Sequence, residues 1–127
     1  MASSRAQKVA TVEAYVQAFA DSDVEAICGL YAQDATVEDP VGTPLHVGAE
    51  AIRRFYAGLM AAGGARLELQ PPVRTSETTA AFAFSSFLTR GGVPMRIDVI
   101  DIFEFDAAGK VTSMRAHWGP GNRHEGV

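Results

Sequence analysis

Residues 95–105 alternate with period two, which makes this segment a long β-strand with one apolar face. Met95, Ile97, Val99, Asp101, Phe103 and Phe105 fall on that face. Asp101 is the only polar member of the row. An ionised carboxylate on such a face is costly, so it must pair, bind a metal or stay protonated. No Lys or Arg shares its side of the strand. A protonated Asp is a hydrogen-bond donor, and a donor facing inward is a tool for chemistry. Asp98, on the opposite face with Arg96 and Glu104, reads as a surface or interface residue.

The chain of 127 residues has the length of one domain, 1–127, and its 47% hydrophobic content can fill a core. Eleven basic against fifteen acidic residues give a net charge of −4, which argues against nucleic acid and anionic membrane as partners. No apolar stretch is long enough to span a bilayer. Met1-Ala-Ser-Ser-Arg5 has no apolar signal core behind it, and the expected location is cytoplasmic. The single cysteine, Cys28, excludes an internal disulfide and fits a reducing compartment.

Along the chain, Ser4 and Gln7 form a capping box for a helix with Val9, Val12, Tyr15, Val16 and Phe19 at helical spacing. Asp21-Ser22-Asp23 breaks it. Ser22 with Glu25 is expected to cap a short second helix bearing Val24, Ile27, Leu30 and Tyr31. Residues 36–39 read as a short strand ended by Pro40-Val-Gly-Thr43. A third helix follows Gly48, carries Ile52, Phe55, Tyr56, Leu59 and Met60, and stops at Gly63-Gly64. The period then changes to two. Strands are expected at 65–70, 79–90, 94–105 and 110–118, with a hairpin turn at Arg90-Gly-Gly-Val93 and a loose tail at 119–127. Three helices and an antiparallel meander make an α+β domain. The helices can cover only one face of the sheet, and bending the sheet around them would leave an apolar, cone-shaped cavity suited to a small molecule.

Other groups could act with Asp101. Asp39 shares a face with Val37 and precedes Pro40, so it is either a second inward carboxylate or a turn cap. Tyr15, Tyr31 and Tyr56 fall on apolar stripes. Each buried phenol needs a partner, which is either backbone or a linked network ending on a ligand oxygen. Asp101 itself could instead pair with Arg53, Arg66 or Arg115 from another element. Phe82, Phe84, Ser86 and Leu88 alternate on one strand, and Met114, Ala116 and Trp118 on the last. These rows are core or, in a bent sheet, the wall of a cavity for a large, flat apolar ligand. Phe82, Phe84, Ser86, Val99, Met114 and Trp118 are the candidate substrate contacts. His46, His117 and His124 lack metal-ligand spacing, no Ser occupies a nucleophile elbow, and no Gly-rich loop is placed to bind phosphate. Cys28, inside a short helix, reads as an inert buried thiol.

The chain resembles the Δ5-3-ketosteroid isomerases in five segments that follow one another along it: Tyr15-Val16, Tyr31-Ala-Gln-Asp-Ala-Thr-Val-Glu-Asp-Pro-Val-Gly42, Phe55-Tyr56, Asp98-Val-Ile-Asp-Ile-Phe103 and Met114-Arg-Ala-His-Trp118. The resemblance implies a cone-shaped fold like that of nuclear transport factors, with three N-terminal helices on a strongly curved, mostly antiparallel sheet, and a homodimer. It implies Asp39 as general base, Tyr15 and Asp101 as oxyanion donors, and Tyr31 and Tyr56 as support for Tyr15. This family is the standard example of a carboxylic acid kept neutral to donate a hydrogen bond, so a protonated Asp101 is inherited from it as an expectation. The implied ligand is a steroid, and the chemistry requires no metal or redox cofactor. Rival readings are an epoxide hydrolase or cyclase on the same cone, a non-catalytic binder of apolar ligands, and a dimerisation domain.

Overall fold

Alternating apolar rows and capped apolar stripes fold as expected in kind, with several boundaries displaced. The computed structural model describes residues 3–126. Its helices are α1 (Arg5–Ala20), α2 (Val24–Cys28) and α3 (Ala49–Ala61), and its strands β1 (Tyr31–Glu38), β2 (His46–Val47), β3 (Arg66–Thr75), β4 (Thr79–Arg90), β5 (Val93–Phe105), β6 (Val111–His117) and β7 (Arg123–Glu125). One sheet runs β2-β1-β6-β5-β4-β3, with β7 also on β5. Bulges in the β1–β6, β3–β4 and β5–β6 pairings bend it around the helices. None of the described helices is long and apolar enough to cross a membrane.

The capping box forms at α1: the Gln7 amide donates to Ser4 Oγ (3.1 Å) and the Ser4 amide to Gln7 Oε1 (2.7 Å). At α2 the cap is Asp23, not Ser22. Ser22 has φ +50°, and Asp23 Oδ1 accepts from the Ala26 amide instead (3.0 Å). Tyr31 does not belong to α2. The helix ends at Cys28, the Val111 amide bonds to the Leu30 carbonyl (2.9 Å), and Tyr31 pairs with Val111 as the first residue of β1. β1 is therefore twice the expected length and runs parallel to β6, so the sheet is mixed rather than a pure meander.

The β4–β5 hairpin closes on Gly91 and Gly92, both at positive φ (+56° and +79°), the conformation a two-residue type I′ turn demands. The tail is not loose up to residue 126: Pro120–Asn122 forms a single 3-10 turn and β7 pairs with Met95–Ile97, alongside the part of β5 that β6 leaves free. Val127, the end of that expected tail, lies outside the described residues, as do Met1 and Ala2 of the N-terminal reading.

Between helices and sheet lies an aromatic core. The Tyr15 ring stands edge-on to Phe19, Tyr56, Phe82 and Phe103, with centroids 5.1–6.2 Å away. On the far face of the sheet, Asp98 accepts from Ser85 Oγ (2.8 Å) and Arg96 Nε (3.1 Å), and its other oxygen faces His124 Nε2 (3.3 Å). Asp98 is thus a surface ion-pair residue.

Candidate active site

Three strands carry the two inward carboxylates into one transverse row. β1 pairs with β6 so that Val37 matches Met114 and Glu38 matches Arg115, which brings Asp39 level with Ala116. Ala116 is in turn the partner of Asp101 on β5, and Asp101 of Phe82 on β4. A small residue thus separates the two acids, and side chains opposite one another share a face. Both line an apolar cavity of about 180 Å³ between α1, α3 and the bent sheet, and Tyr15 lines it from the helical side.

Asp101 is 1% exposed, and its Oδ1 has no hydrogen-bond partner among the described residues. The candidate ion-pair partners are engaged elsewhere: Arg53 with Glu25, Arg66 with Glu68 at 3.1 Å, Arg115 with Glu38 at 3.0 Å. Burial pushes the Asp101 carboxyl well above its ordinary range, and the neighbouring Asp39 pushes it further. Both effects favour the protonated form, which is a hydrogen-bond donor.

Asp39, one residue beyond β1, receives the indole Nε1–H of Trp118 on Oδ1 at 2.8 Å. Its carboxyl is raised by burial, an effect partly offset by that hydrogen bond and by His46, which stacks on the cavity-lining Phe55 (centroids 4.5 Å). The smaller shift leaves Asp39 the more acidic of the two, and therefore the one suited to be a base.

The three phenols form a chain. Tyr15 Oη lies 3.0 Å from Tyr56 Oη, and Tyr56 Oη 2.5 Å from Tyr31 Oη. One arrangement of the hydroxyl hydrogens has Tyr31 donating to Tyr56 and Tyr56 to Tyr15, which frees the Tyr15 proton for a ligand. Burial pushes all three phenols well above their ordinary value, so each is a neutral donor. Burial is reinforced by Tyr31 and Asp101 in Tyr15, and by Tyr15 and Asp101 in Tyr56.

Of the sequence-derived contact residues, Phe84, Ser86, Val99 and Trp118 stand on the cavity wall. Phe82 and Met114 do not. Each is 1% exposed and packs in the core behind the wall, Phe82 against Tyr15 and Phe103. Their rows point inward, but other side chains cover them, the rings of Tyr15 and Phe103 in the case of Phe82. Several lining residues were not anticipated, among them Phe19, Phe55, Leu59, Leu67, Ile97 and Arg90. Phe19 and Phe55 sit on the stripes that carry Tyr15 and Tyr56, so helical periodicity held the signal. Arg90 ends the period-two row of Phe82, Phe84, Ser86 and Leu88, so its signal lay in that alternation. Among the described residues no three His, Cys, Asp or Glu side chains converge as a metal site.

A small α+β domain with a helix-capped cone and acids at its closed end has known counterparts. A family model described as a SnoaL-like domain matches residues 12–114. A solved structure with TM-score 0.86 and 25% identity, covering 93% of this chain and 95% of its own, is the epoxide hydrolase/cyclase-like enzyme SalBIII, studied for pyran ring formation in the polyether salinomycin. A curated relative from Nocardioides simplex, "Steroid Delta-isomerase", is 43% identical over 118 residues, 92% of this chain and 94% of the relative. The chain belongs to the steroid Δ-isomerase family, within the SnoaL-like domains.

Proposed function

We propose that the protein isomerises 3-oxo-Δ5 steroids to their conjugated 3-oxo-Δ4 isomers. The observation that carries this reading is the buried Asp101, partnerless at Oδ1, on the wall of the same apolar cavity as Tyr15 and Asp39. The relative named as a steroid Delta-isomerase supports the substrate class.

Asp39 takes a proton from carbon 4, beside the ketone. The electrons move into a dienolate whose charge falls on the 3-oxygen. Tyr15 and protonated Asp101 each donate a hydrogen bond to that oxygen. Asp39 then returns its proton to carbon 6, and the double bond comes to rest in conjugation. A carboxylate is a weak base, about 3.9 for a free Asp, so the proton moves only because the enolate is strongly held. Exclusion of water from the cavity strengthens both donors. One base serves both carbons because it moves over one face of a flat ligand held by its ketone. The homodimer implied by the family is the assembly we expect, and a molar mass measured in solution tests it.

The experiment is spectrophotometric: purified protein is given androst-5-ene-3,17-dione and the conjugated-enone absorbance is followed. Enzymatic growth of that band supports the reading. Binding of the steroid without turnover would leave a ligand-binding module in its place.

A further inference from the structure

The lining of the cavity runs from Asp101 to Arg90 along the inner face of β4. Asp101 lies opposite Phe82, and from there Phe84, Ser86, Leu88 and Arg90 follow on the same face of β4. From Phe82 to Arg90 is eight residues, roughly 25 Å at the rise of a strand. Phe19, Gly64, Ala65 and Leu88 line both this cavity and a second hollow of about 540 Å³, bounded further by Phe87, Pro94 and Met95. The four residues border both hollows, and Arg90 stands on the first cavity's side of this throat.

Among the described residues Arg90 is the only cationic side chain on the cavity wall. Its Nη1 donates to the carbonyls of Gly64 (3.2 Å) and Thr89 (3.0 Å), which fixes the guanidinium beside the throat. Both bonds use the same nitrogen. Among the described residues Nε and Nη2 have no acceptor, and no carboxylate lies within ion-pair distance. Arg53, Arg54, Arg66, Arg96 and Arg115 each have one. A fixed guanidinium with unused donors, at the mouth of an apolar funnel, is a receptor for a carboxylate.

Resting on the isomerase reading, we infer that the preferred substrates carry a side chain on the ring remote from the ketone, that the chain runs along the β4 face toward the throat, and that it ends in a carboxylate held by Arg90. A compact diketone would occupy only the inner part of the funnel and leave Arg90 idle.

The test uses two substrates that differ only in charge: 3-oxochol-5-en-24-oic acid and its methyl ester. The acid is expected to be favoured about tenfold in kcat/KM, through KM rather than kcat. Arg90→Gln should bring the acid-to-ester ratio to about one, Arg90→Lys should keep part of it, and salt near 1 M should narrow it. If Arg90 only straps the hairpin to the α3–β3 loop, Arg90→Gln will lower both substrates together and leave the ratio unchanged, which overturns the inference. A second readout is binding of the two Δ4 products, followed by the fluorescence of Trp118, the chain's only tryptophan. Equal affinity of the wild type for acid and ester also overturns the inference, even if both substrates are isomerised. Tighter, Arg90-dependent binding of the acid with no turnover of either substrate would keep the anion site and sink the isomerase reading.

Discussion

Asp101 and Asp39 are the same amino acid set to different tasks by what surrounds them. Asp101 has only burial and a like charge acting on it, and both favour its neutral form. Asp39 has an indole N–H and a histidine working against its burial. The proposed mechanism therefore requires a neutral donor at position 101. Asp101→Asn keeps one, whereas Asp101→Ala removes it and should lower kcat by on the order of a hundred- to a thousand-fold. Equal kcat for the two variants would reject the donor role. At position 39 the requirement is ionisation, so Asp39→Asn should cost at least about a hundredfold in kcat while steroid binding persists. Trp118→Phe removes the hydrogen bond that lowers the Asp39 carboxyl. The acid limb of the kcat/KM profile should then move to higher pH, and an unmoved limb would show that the indole does not tune the base.

No single element builds the phenol chain: Tyr15 comes from α1, Tyr56 from α3 and Tyr31 from the first residue of β1. Tyr56 is the middle link and is fully buried. Tyr56→Phe removes both bonds and strands two hydroxyls, whereas Tyr31→Phe removes one. At a net of about 0.5–1.5 kcal/mol per bond, Tyr56→Phe should be roughly twice as destabilising in urea titration. Equal losses would mean the three hydroxyls do not act as a chain. How legible these elements were depends on where their information lies. Period two placed Asp101 and Val99 on the inner face of β5 from local sequence alone. The stripes of α1 and α3 likewise carried Tyr15 and Tyr56 inward. Tyr31 was misplaced because Gly29 and Leu30 end α2 one turn early and partnership with Val111, 80 residues away, makes it a strand residue. The 123–125 strand was missed for the same reason, since its partner is the free edge of β5. Arg90 continues the period-two row of Phe82, Phe84, Ser86 and Leu88, but a charged residue beside a turn reads as solvent-facing, so its place on the wall was passed over.

Over the whole molecule the titrating groups pull stability in opposite directions. The Gly42 amide and Arg115 hold the Glu38 carboxyl below its ordinary range, and Ser85 and Arg96 do the same for Asp98. Such groups contribute stability that is present above their unfolded values, about 4, and lost as pH falls through the depressed native ones. Both carboxylates are solvated at the surface, so their contribution is small. Asp101 and Asp39 have the reverse sign. Their native values are raised, so their contribution is complete below about pH 3.9 and is lost as pH rises through the native values. The buried pair should dominate, which puts the stability maximum on the acid side of neutrality. The proposed mechanism needs Asp39 ionised, so activity should rise over the range in which stability falls. This is a conflict between site and fold rather than a defect of packing. The Asp39→Asn/Asp101→Asn double variant cannot ionise at either position. Its Tm should fall less than that of the wild type between about pH 5 and about pH 8, with the two curves converging toward the acid end. Curves that run parallel across that range would mean that neither carboxyl is strained by the cavity, and the neutral-donor role of Asp101 would fall with them.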